Sequence, residues 1–171
     1  MQIAQQEAQR HVLAITVDNE SGILAKIAGL FTARGYNIDS LTVADITEDH
    51  AVSRITIVTN GPPAVIDQIH AQLDRLVPVH KVVDLTEEGP HVERELALVK
   101  VAGTGDKRVE ALRLADIFRA RPVDTTTESF IFEITGPPEK VDSFIALMRE
   151  LGLVEVGRTG IVGMMRGAQG A

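Results

Sequence analysis

The sequence predicts an α+β fold composed of two tandem ferredoxin-like domains, each with the element order βαββαβ. Apolar residues alternate between strand-like runs and helix-like spacing in this order, and the whole order occurs twice along the chain. Two short segments also recur at matching positions of the two halves, which indicates an internal repeat. A length of 171 residues suffices for two small domains.

The first repeat opens with an apolar, β-prone run at residues 11–17, which predicts a strand. The polar residues 18–22 that follow are of the types that begin helices, and apolar residues then recur at helical spacing up to Phe31. Gly35 is well placed to end this helix, because glycine readily adopts the left-handed conformation required there.

The second half of this repeat predicts a hairpin, a helix and a strand. Two β-rich runs, residues 36–46 and 51–59, flank a short polar turn. Pro62 and Pro63 suit the first turn of the amphipathic helix that follows, and residues 79–85 predict the last strand. Because both helices of such a unit cover one sheet face, the other face or an edge needs cover, and we expect oligomerisation.

The second repeat follows a polar break at residues 86–90. Its predicted elements are a strand at 95–102, a helix at 107–120, hairpin strands at 122–126 and 129–135, a helix at 137–151 and a strand at 154–159. The recurring segments are 61–67 with 136–142, and 31–34 with 118–121. We therefore predict a polar extension (1–10), a first domain (11–86), a linker (87–92), a second domain (93–166) and a tail (167–171).

Composition excludes several classes of protein. The formal net charge of −7 argues against a nucleic-acid partner, which requires clustered lysines and arginines. The absence of cysteine excludes disulfides, thiolate zinc sites and thiol nucleophiles. No stretch approaches the ~20 apolar residues of a membrane span, and the first ten residues lack the apolar run of a signal peptide. These features predict a soluble, cytoplasmic protein without a membrane partner.

The most informative segment is residues 18–24, at the junction of the first strand and helix. Free main-chain N–H groups at a helix start attract anions. Gly22 has no side chain, so a carboxylate can approach the amides of residues 22–24 directly. Asn19 can donate to a carboxylate or accept from an ammonium group. An α-amino acid requires such a clamp beside an apolar wall, and we hypothesise a site for one here.

Helix capping alone is the alternative interpretation of this segment, because polar residues commonly precede amphipathic helices. The second repeat provides an internal comparison. There residues 103–106 replace the loop, and Val109 is aligned with Gly22. A loop that is elaborated in one repeat and replaced in the other favours a ligand.

Residues 19–24 resemble the effector loop of ACT domains, which bind regulatory amino acids. Residues 34–44 and four further segments resemble the sequence pattern of the small regulatory subunits of acetolactate synthase, also called acetohydroxyacid synthase. Those segments are 53–57, 91–96, 116–119 and 158–163. The resemblance spans residues 11–166, and it implies an N-terminal ACT domain followed by a C-terminal ACT-like domain.

The resemblance further implies a site for valine, or a related branched-chain amino acid, where two ACT domains meet. One subunit would supply Asn19, Gly22, Ile23 and Leu24, and its partner would supply Asn37 and Ile38. Ordinary roles stay open for some of them, since Asn37 also suits a turn and the apolar residues also suit core packing.

A regulatory subunit without catalytic residues is the function that this resemblance implies. It would form a homodimer through its ACT domains, bind and activate the catalytic large subunit of acetolactate synthase, and confer feedback inhibition. Thiamine diphosphate, FAD and magnesium would be bound by the catalytic subunit only. The alternative is a free-standing ACT-domain amino-acid sensor that acts on another partner.

Neither a metal site, a catalytic centre nor an RNA-binding face is predicted. The five histidines lie on scattered elements without metal-ligand spacing, and no serine has a recognisable His-Asp constellation. RNA-recognition modules share the βαββαβ order but need aromatic residues on their central strands and a basic face. Residues 52–58 contain no aromatic residue, and the chain is acidic.

Overall fold

The computed structural model describes residues 7–171, so part of the expected N-terminal extension, residues 1–6, lies outside the described residues. Contacts divide the chain into two compact units. One comprises the described residues up to Val92 together with Ile161–Ala171, and the other comprises Glu93–Gly160. The sequence-based boundary at residue 166 differs from this division, because residues 161–166 pack with the first unit.

The first unit contains one antiparallel sheet, two long helices and one short helix. Its elements are β1 (Gln9–Asp18), α1 (Ile23–Ala33), β2 (Ile38–Asp45), β3 (Val52–Gly61), α2 (Pro63–Leu73), β4 (Val79–Asp84) and α3 (Leu85–Glu88). The strand order in the sheet is β2-β3-β1-β4. The two ends of β2 lie at opposite ends of β1 in this register: Ile38 pairs with Thr59, which faces His11, and Asp45 pairs with Ser53, which faces Val17.

One face of this sheet packs against α1 and α2 and forms the core of the unit. The side chains involved are apolar and nearly inaccessible to solvent, and burying each contributes about 1.5–3 kcal/mol. They are Leu13, Ile15, Val17, Ile23, Ile27, Phe31, Ile55, Ile57, Ile66, Ile69, Leu73 and Val82. The end of α1 is as predicted, because Gly35 has a φ of 70° and the amide of Tyr36 donates to the carbonyl of Phe31 at 3.0 Å.

The opposite face of the sheet is covered in part by the chain itself. Val12, Ala14, Val58, Val83, Leu85 and Ile161 form a second buried apolar cluster there. Leu85 belongs to α3, which occupies the predicted polar break: the carboxylate of Asp84 accepts from the amide of Thr86 at 3.0 Å, and Leu85 is fully buried. Another subunit was expected to cover this face or an edge, and residues of the chain itself, including Ile161, provide part of that cover.

The second unit repeats the plan of the first. Its elements are β5 (His91–Ala102, of which the residues from Glu93 belong to this unit), α4 (Gly105–Ile117), β6 (Arg121–Thr125), β7 (Ser129–Gly136), α5 (Pro138–Leu151) and β8 (Leu153–Arg158). The antiparallel order is β6-β7-β5-β8, the same arrangement as in the first unit. A further short strand, β9 (Val162–Met165), was not predicted from the sequence and belongs to the first unit.

The core of the second unit lies between its sheet and the helices α4 and α5. Phe132 on β7 and Phe144 on α5 are fully buried, with ring centroids 6.0 Å apart at an interplanar angle of 84°, an edge-to-face arrangement that aromatic pairs favour. Ala111 and Ala115 are the buried residues of α4, and their small side chains bring that helix close to the core. The two repeats confirm the predicted pair of ferredoxin-like units. Among the described residues, no helix is both long enough and apolar enough to cross a membrane.

Candidate functional site

At the N-terminus of α1, several main-chain amides have no hydrogen-bond acceptor in the described part of the chain. Gly22 is the N-cap residue, with φ 85° and ψ −4°, a left-handed conformation that costs glycine little. No side chain of the residues that the structure describes caps the helix. Within residues 7–171 the amides of Gly22 and Leu24 donate to no group, whereas the amide of Ile23 donates to the carbonyl of Glu20 at 3.4 Å. Two of the three amides proposed from the sequence are therefore free, at the positive end of the helix dipole.

The loop ahead of α1 is fastened to the β2–β3 turn by Asn19. Its side-chain Nδ2 donates to the carbonyl of His50 at 2.9 Å, and its main-chain N–H donates to the carbonyl of Ala51 at 2.8 Å. One N–H of the side-chain amide is thus engaged, which leaves the second N–H and Oδ1 for another partner. Asn19 is exposed, so a small molecule can reach it.

The turn that holds Asn19 is organised by an exposed hydrogen bond between two side chains, His50 and Asp45. The imidazole of His50 hydrogen-bonds to the carboxylate of Asp45, and this bond holds the pKa of Asp45 below its usual value. His50 itself has a positive φ of 57°, uncommon for a residue with a side chain. The pKa of Asp49 in the same turn is also lowered, chiefly by a hydrogen bond from Thr47.

Asn37 and Ile38 lie at the start of β2. The carbonyl of Asn37 accepts from Thr59 Oγ1 at 2.7 Å, and its Nδ2 donates to Asp39 Oδ1 at 2.9 Å. Ile38 is half-buried and packs against the edge of the core. A register irregularity between Ile38 and Ser40 interrupts the pairing with β3 at this point.

The two apolar residues that follow Gly22 have different surroundings. Ile23 is only 6% exposed and its side chain belongs to the core of the unit, so core packing accounts for it. Leu24 is 39% exposed, so part of its side chain is accessible to solvent. Of this pair, Leu24 is the one whose side chain can contact a ligand.

The six predicted residues form two groups that do not meet within one chain. Asn19 and Gly22 follow the end of β1 at Asp18, whereas Ile38 is level with His11 at the beginning of β1. The intervening length of strand spans roughly 20 Å at the usual rise per residue. A site that uses both groups therefore requires a second copy of the chain.

The edge of the first sheet is open at β2. This strand pairs with β3 on one side, and its other side pairs with no strand in the described part of the chain. Val43 on β2 is 44% exposed, and Ile46 just beyond it is 54% exposed. An open edge with exposed apolar side chains is a surface on which another strand can pair.

The second repeat does not place Val109 where the sequence alignment with Gly22 predicts. Val109 lies inside α4, which begins at Gly105, so this prediction was wrong. Gly105 has a φ of 60°, so the first helix of each unit begins beside a left-handed glycine. The connection before α4 is only Gly103–Thr104, and the longer loop that carries Asn19 is the feature that distinguishes the first unit.

The structure also brings together three possible metal ligands that the spacing in the sequence did not indicate. One ligating atom each of His11, Asp84 and Glu87 lies within 4.8 Å of the other two. The Nδ1 of His11 is 2.7 Å from Asp84 Oδ2, and its Nε2 is buried with no hydrogen-bond partner among residues 7–171. His11 and Asp84 are 73 residues apart, so only the pairing of β1 with β4 places them together. The prediction that the chain binds no metal stays a prediction.

Two family models match the two units in turn. A model described as the AHAS small subunit-like ACT domain matches residues 13–81, and a model described as the small subunit of acetolactate synthase matches residues 94–167. The first match contains the free amides at Gly22 and Leu24 and the start of β2.

Curated relatives and a solved structure are similar over nearly the whole chain. A probable acetolactate synthase small subunit of Archaeoglobus fulgidus is 48% identical over 92% of this chain and 98% of its own. The acetolactate synthase isozyme 3 small subunit of Escherichia coli is 45% identical over 92% and 96%. The crystal structure of the acetolactate synthase small subunit of Thermotoga maritima superposes with a TM-score of 0.83 at 40% identity, over 94% of this chain and 99% of that one.

Proposed function

Because the chain belongs to the family of acetolactate synthase small subunits, we propose that it is the regulatory subunit of that enzyme in branched-chain amino-acid biosynthesis. It binds and activates the catalytic large subunit, and it confers feedback inhibition by valine or a related branched-chain amino acid. It carries out no chemistry of its own, and thiamine diphosphate, FAD and magnesium are bound by the catalytic subunit.

One observation carries the proposed effector site: the residues expected to form it lie at opposite ends of the same sheet. Two copies joined in antiparallel fashion along their β2 edges resolve this separation. The Ile38 end of one β2 then lies near the Asp45 end of the other, where the Asn19 loop is attached. A homodimer through the first units thus completes two equivalent sites.

The chemistry of each site fits the head group of an α-amino acid. The free amides of Gly22 and Leu24 receive the carboxylate, which the dipole of α1 also favours. The unused Oδ1 of Asn19 accepts from the ammonium group. Leu24 and the partner's Ile38 provide the apolar wall against which a branched side chain packs.

Inhibition follows if the effector binds one of two states of the dimer more tightly than the other. The effector binds more tightly in the state in which the partner's Asn37 and Ile38 lie beside the free amides and Asn19. In the other state the site is incomplete and the affinity for the effector is lower. The coupling between effector and catalytic subunit is then limited by this differential affinity, typically ~1–3 kcal/mol.

A reconstitution with the catalytic subunit tests the proposal. Isothermal titration calorimetry of the full chain with valine, isoleucine and leucine is followed by assays of the catalytic subunit with and without the chain. We expect binding of at least one of the three amino acids, a rise in catalytic activity on addition of the chain, and loss of that activity when the effector is added. Activation without effector binding would contradict the sensor role, and binding without activation would favour a free-standing sensor.

A further inference from the structure

The C-terminal segment, residues 161–171, lies on the face of the first sheet that is opposite to α1 and α2. Ile161 is only 7% exposed and packs in the apolar cluster of that face. Gly163 touches the sheet so closely that an added Cβ would lie 2.6 Å from Leu85 Cδ1 and 3.3 Å from Val12 Cγ1. Glycine at this position therefore lets the main chain of the segment lie directly on the sheet.

The main chain of Ile161 is held on both sides by hydroxyl groups of β2. Its N–H donates to Ser40 Oγ at 2.8 Å, and its carbonyl accepts from Thr42 Oγ1 at 3.2 Å. Farther along the segment, the guanidinium of Arg54 on β3 donates to the carbonyl of Gly163 at 3.0 Å. Burial lowers the pKa of Arg54. The attachment of Ile161 is thus made to the edge strand itself.

The same residue is one peptide unit away from the second unit. Thr159 is bonded to the main chain of β5, where its N–H donates to the carbonyl of Leu96 at 3.0 Å and its Oγ1 accepts from the amide of Leu96 at 3.1 Å. Gly160 ends the second unit, and Ile161 begins the returning segment. Residues 159–161 are therefore a continuous stretch of main chain that is hydrogen-bonded to β2 at Ile161 and to β5 at Thr159.

β2 is also the strand on which the proposed effector site rests. Asn37 and Ile38 directly precede Ser40, and the register irregularity between Ile38 and Ser40 separates them from the regular ladder. A strand whose ladder is interrupted can shift locally at the interruption with less loss of hydrogen bonding than a strand with a regular ladder.

We propose that Ser40 and Thr42 are positioning residues that transmit effector binding on β2 to the second unit through Ile161. The inference rests on the proposed effector site and extends it to the route of regulation. Effector binding displaces or stiffens β2. Through the two hydroxyl groups, this change alters the position of the main chain of Ile161. Through Gly160, it then alters the hydrogen bonds between Thr159 and Leu96. Such a link requires an element that contacts both sites, and β2 does so through Ile38 at one end and the hydroxyl groups of Ser40 and Thr42 beside Ile161.

The test uses the double substitution Ser40→Ala/Thr42→Val in the full chain, reconstituted with the catalytic subunit. Both hydroxyl groups are removed, while Asn19, Gly22 and Asn37 are untouched. We expect valine affinity within about twofold of wild type and unchanged activation without valine, but a rise of at least fivefold in the valine concentration for half-inhibition, since coupling energies usually correspond to about 5–150-fold.

Two further variants separate transmission from general loosening of the segment. Ser40→Thr/Thr42→Ser retains both hydroxyl groups and is expected to restore inhibition. Lys81→Ala removes a bond to the carbonyl of Gly170, 3.3 Å away on the same segment, without touching β2, and is expected to leave inhibition unchanged. Equal loss of inhibition in Lys81→Ala would overturn the proposal.

The failure of this link and the failure of the effector site give different results. If wild type does not bind valine, the proposed function fails. If wild type binds valine and the double variant is inhibited normally, only the link through Ile161 is wrong. Should the double variant not fold, hydrogen exchange of the Ile161 amide in wild type decides: protection is expected to change on valine addition, and unchanged protection overturns the link.

Discussion

The side-chain amide of Asn19 donates to the main-chain carbonyl of His50 at 2.9 Å, so the loop ahead of α1 is attached to the β2–β3 turn. The loop carries the free amides, and the turn follows the edge strand on which the two copies are proposed to pair. This bond therefore fixes the amides of one copy with respect to the edge that the second copy approaches.

Substitution of Asn19 tests its role in holding the effector. Asn19→Ala removes the bond to the turn and the Oδ1 proposed for the ammonium group, so valine affinity is expected to fall at least fivefold, equivalent to about 1 kcal/mol for a lost hydrogen bond. Calorimetry of the purified chain measures this. Ser21→Ala in the same loop is the control, and equal losses in both variants would contradict a specific role for Asn19.

Gly22→Asp is expected to abolish valine sensitivity and to leave activation of the catalytic subunit largely intact. The new carboxylate repels the effector's carboxylate, and a side chain at a φ of 85° is strained by about 1–2 kcal/mol. Gly105→Asp is the matched control, because Gly105 is also left-handed beside a helix start and an added Cβ also meets no atom within 4 Å. Gly22→Asn separates strain from charge. Full valine inhibition of the Gly22→Asp complex would refute the site.

Local signals made much of this fold predictable. The left-handed Gly35, the helix that starts at Pro62 and Pro63, and the repeated βαββαβ order all depend on neighbouring residues, and the structure confirms them. Strand β9 was missed because four residues that include a glycine carry too weak a pattern.

Long-range contacts and individual hydrogen bonds could not be predicted from the sequence. The pairing of His11 with Asp84 depends on the register of two strands, and the attachment of Ile161 to Ser40 spans 121 residues. Within the candidate site, the exposed amides followed from Gly22 and the helix start. The bond of the Ile23 amide to the carbonyl of Glu20 depends on loop geometry that no residue type specifies.

Gly152 is expected to be intolerant of any side chain. Its φ is 109°, and an added Cβ would lie 2.2 Å from the carbonyl oxygen of Ala102, a main-chain atom that cannot move aside. Gly152→Ala should lower the free energy of unfolding by about 2–4 kcal/mol, through strain and overpacking. Gly157→Ala is the control, since no atom lies within 4 Å of its added Cβ, and its effect should stay within about 0.5 kcal/mol. Urea unfolding compares them, and similar losses would contradict the argument.

The Asp45 carboxyl should titrate at a lower pH than an ordinary aspartate, because the hydrogen bond from His50 lowers its pKa. A lowered pKa in the folded state means that the carboxylate's stabilising contribution is present above the ordinary value and is lost as pH falls through the lowered one. NMR titration of the carboxyl carbon measures this. His50→Gly keeps the positive φ and should return the pKa of Asp45 towards its ordinary value, while Asp49, held by Thr47, serves as internal control.

Arg158 is expected to be the most important exposed cation for the stability of the second unit. Its guanidinium binds the buried carboxylate of Glu95 through both Nε, 3.1 Å from Oε2, and a second nitrogen; this bonding raises the pKa of Arg158. Arg158→Met leaves the Glu95 carboxylate buried and unpaired, which should lower the free energy of unfolding by about 3 kcal/mol. Asp142→Asn removes only the exposed partner at 2.8 Å and should change it by less than about 1 kcal/mol.

Urea unfolding of these variants, together with Arg158→Met/Glu95→Leu, decides whether the unpaired carboxylate is the cause. With both charges replaced by apolar side chains of similar size, no buried charge is left without a partner, and most of the lost stability should return. If the double variant is as unstable as Arg158→Met alone, the loss comes from the packing of the arginine side chain instead. The pairing of β8 with β5, which Arg158 and Glu95 flank, would then depend on shape and not on charge.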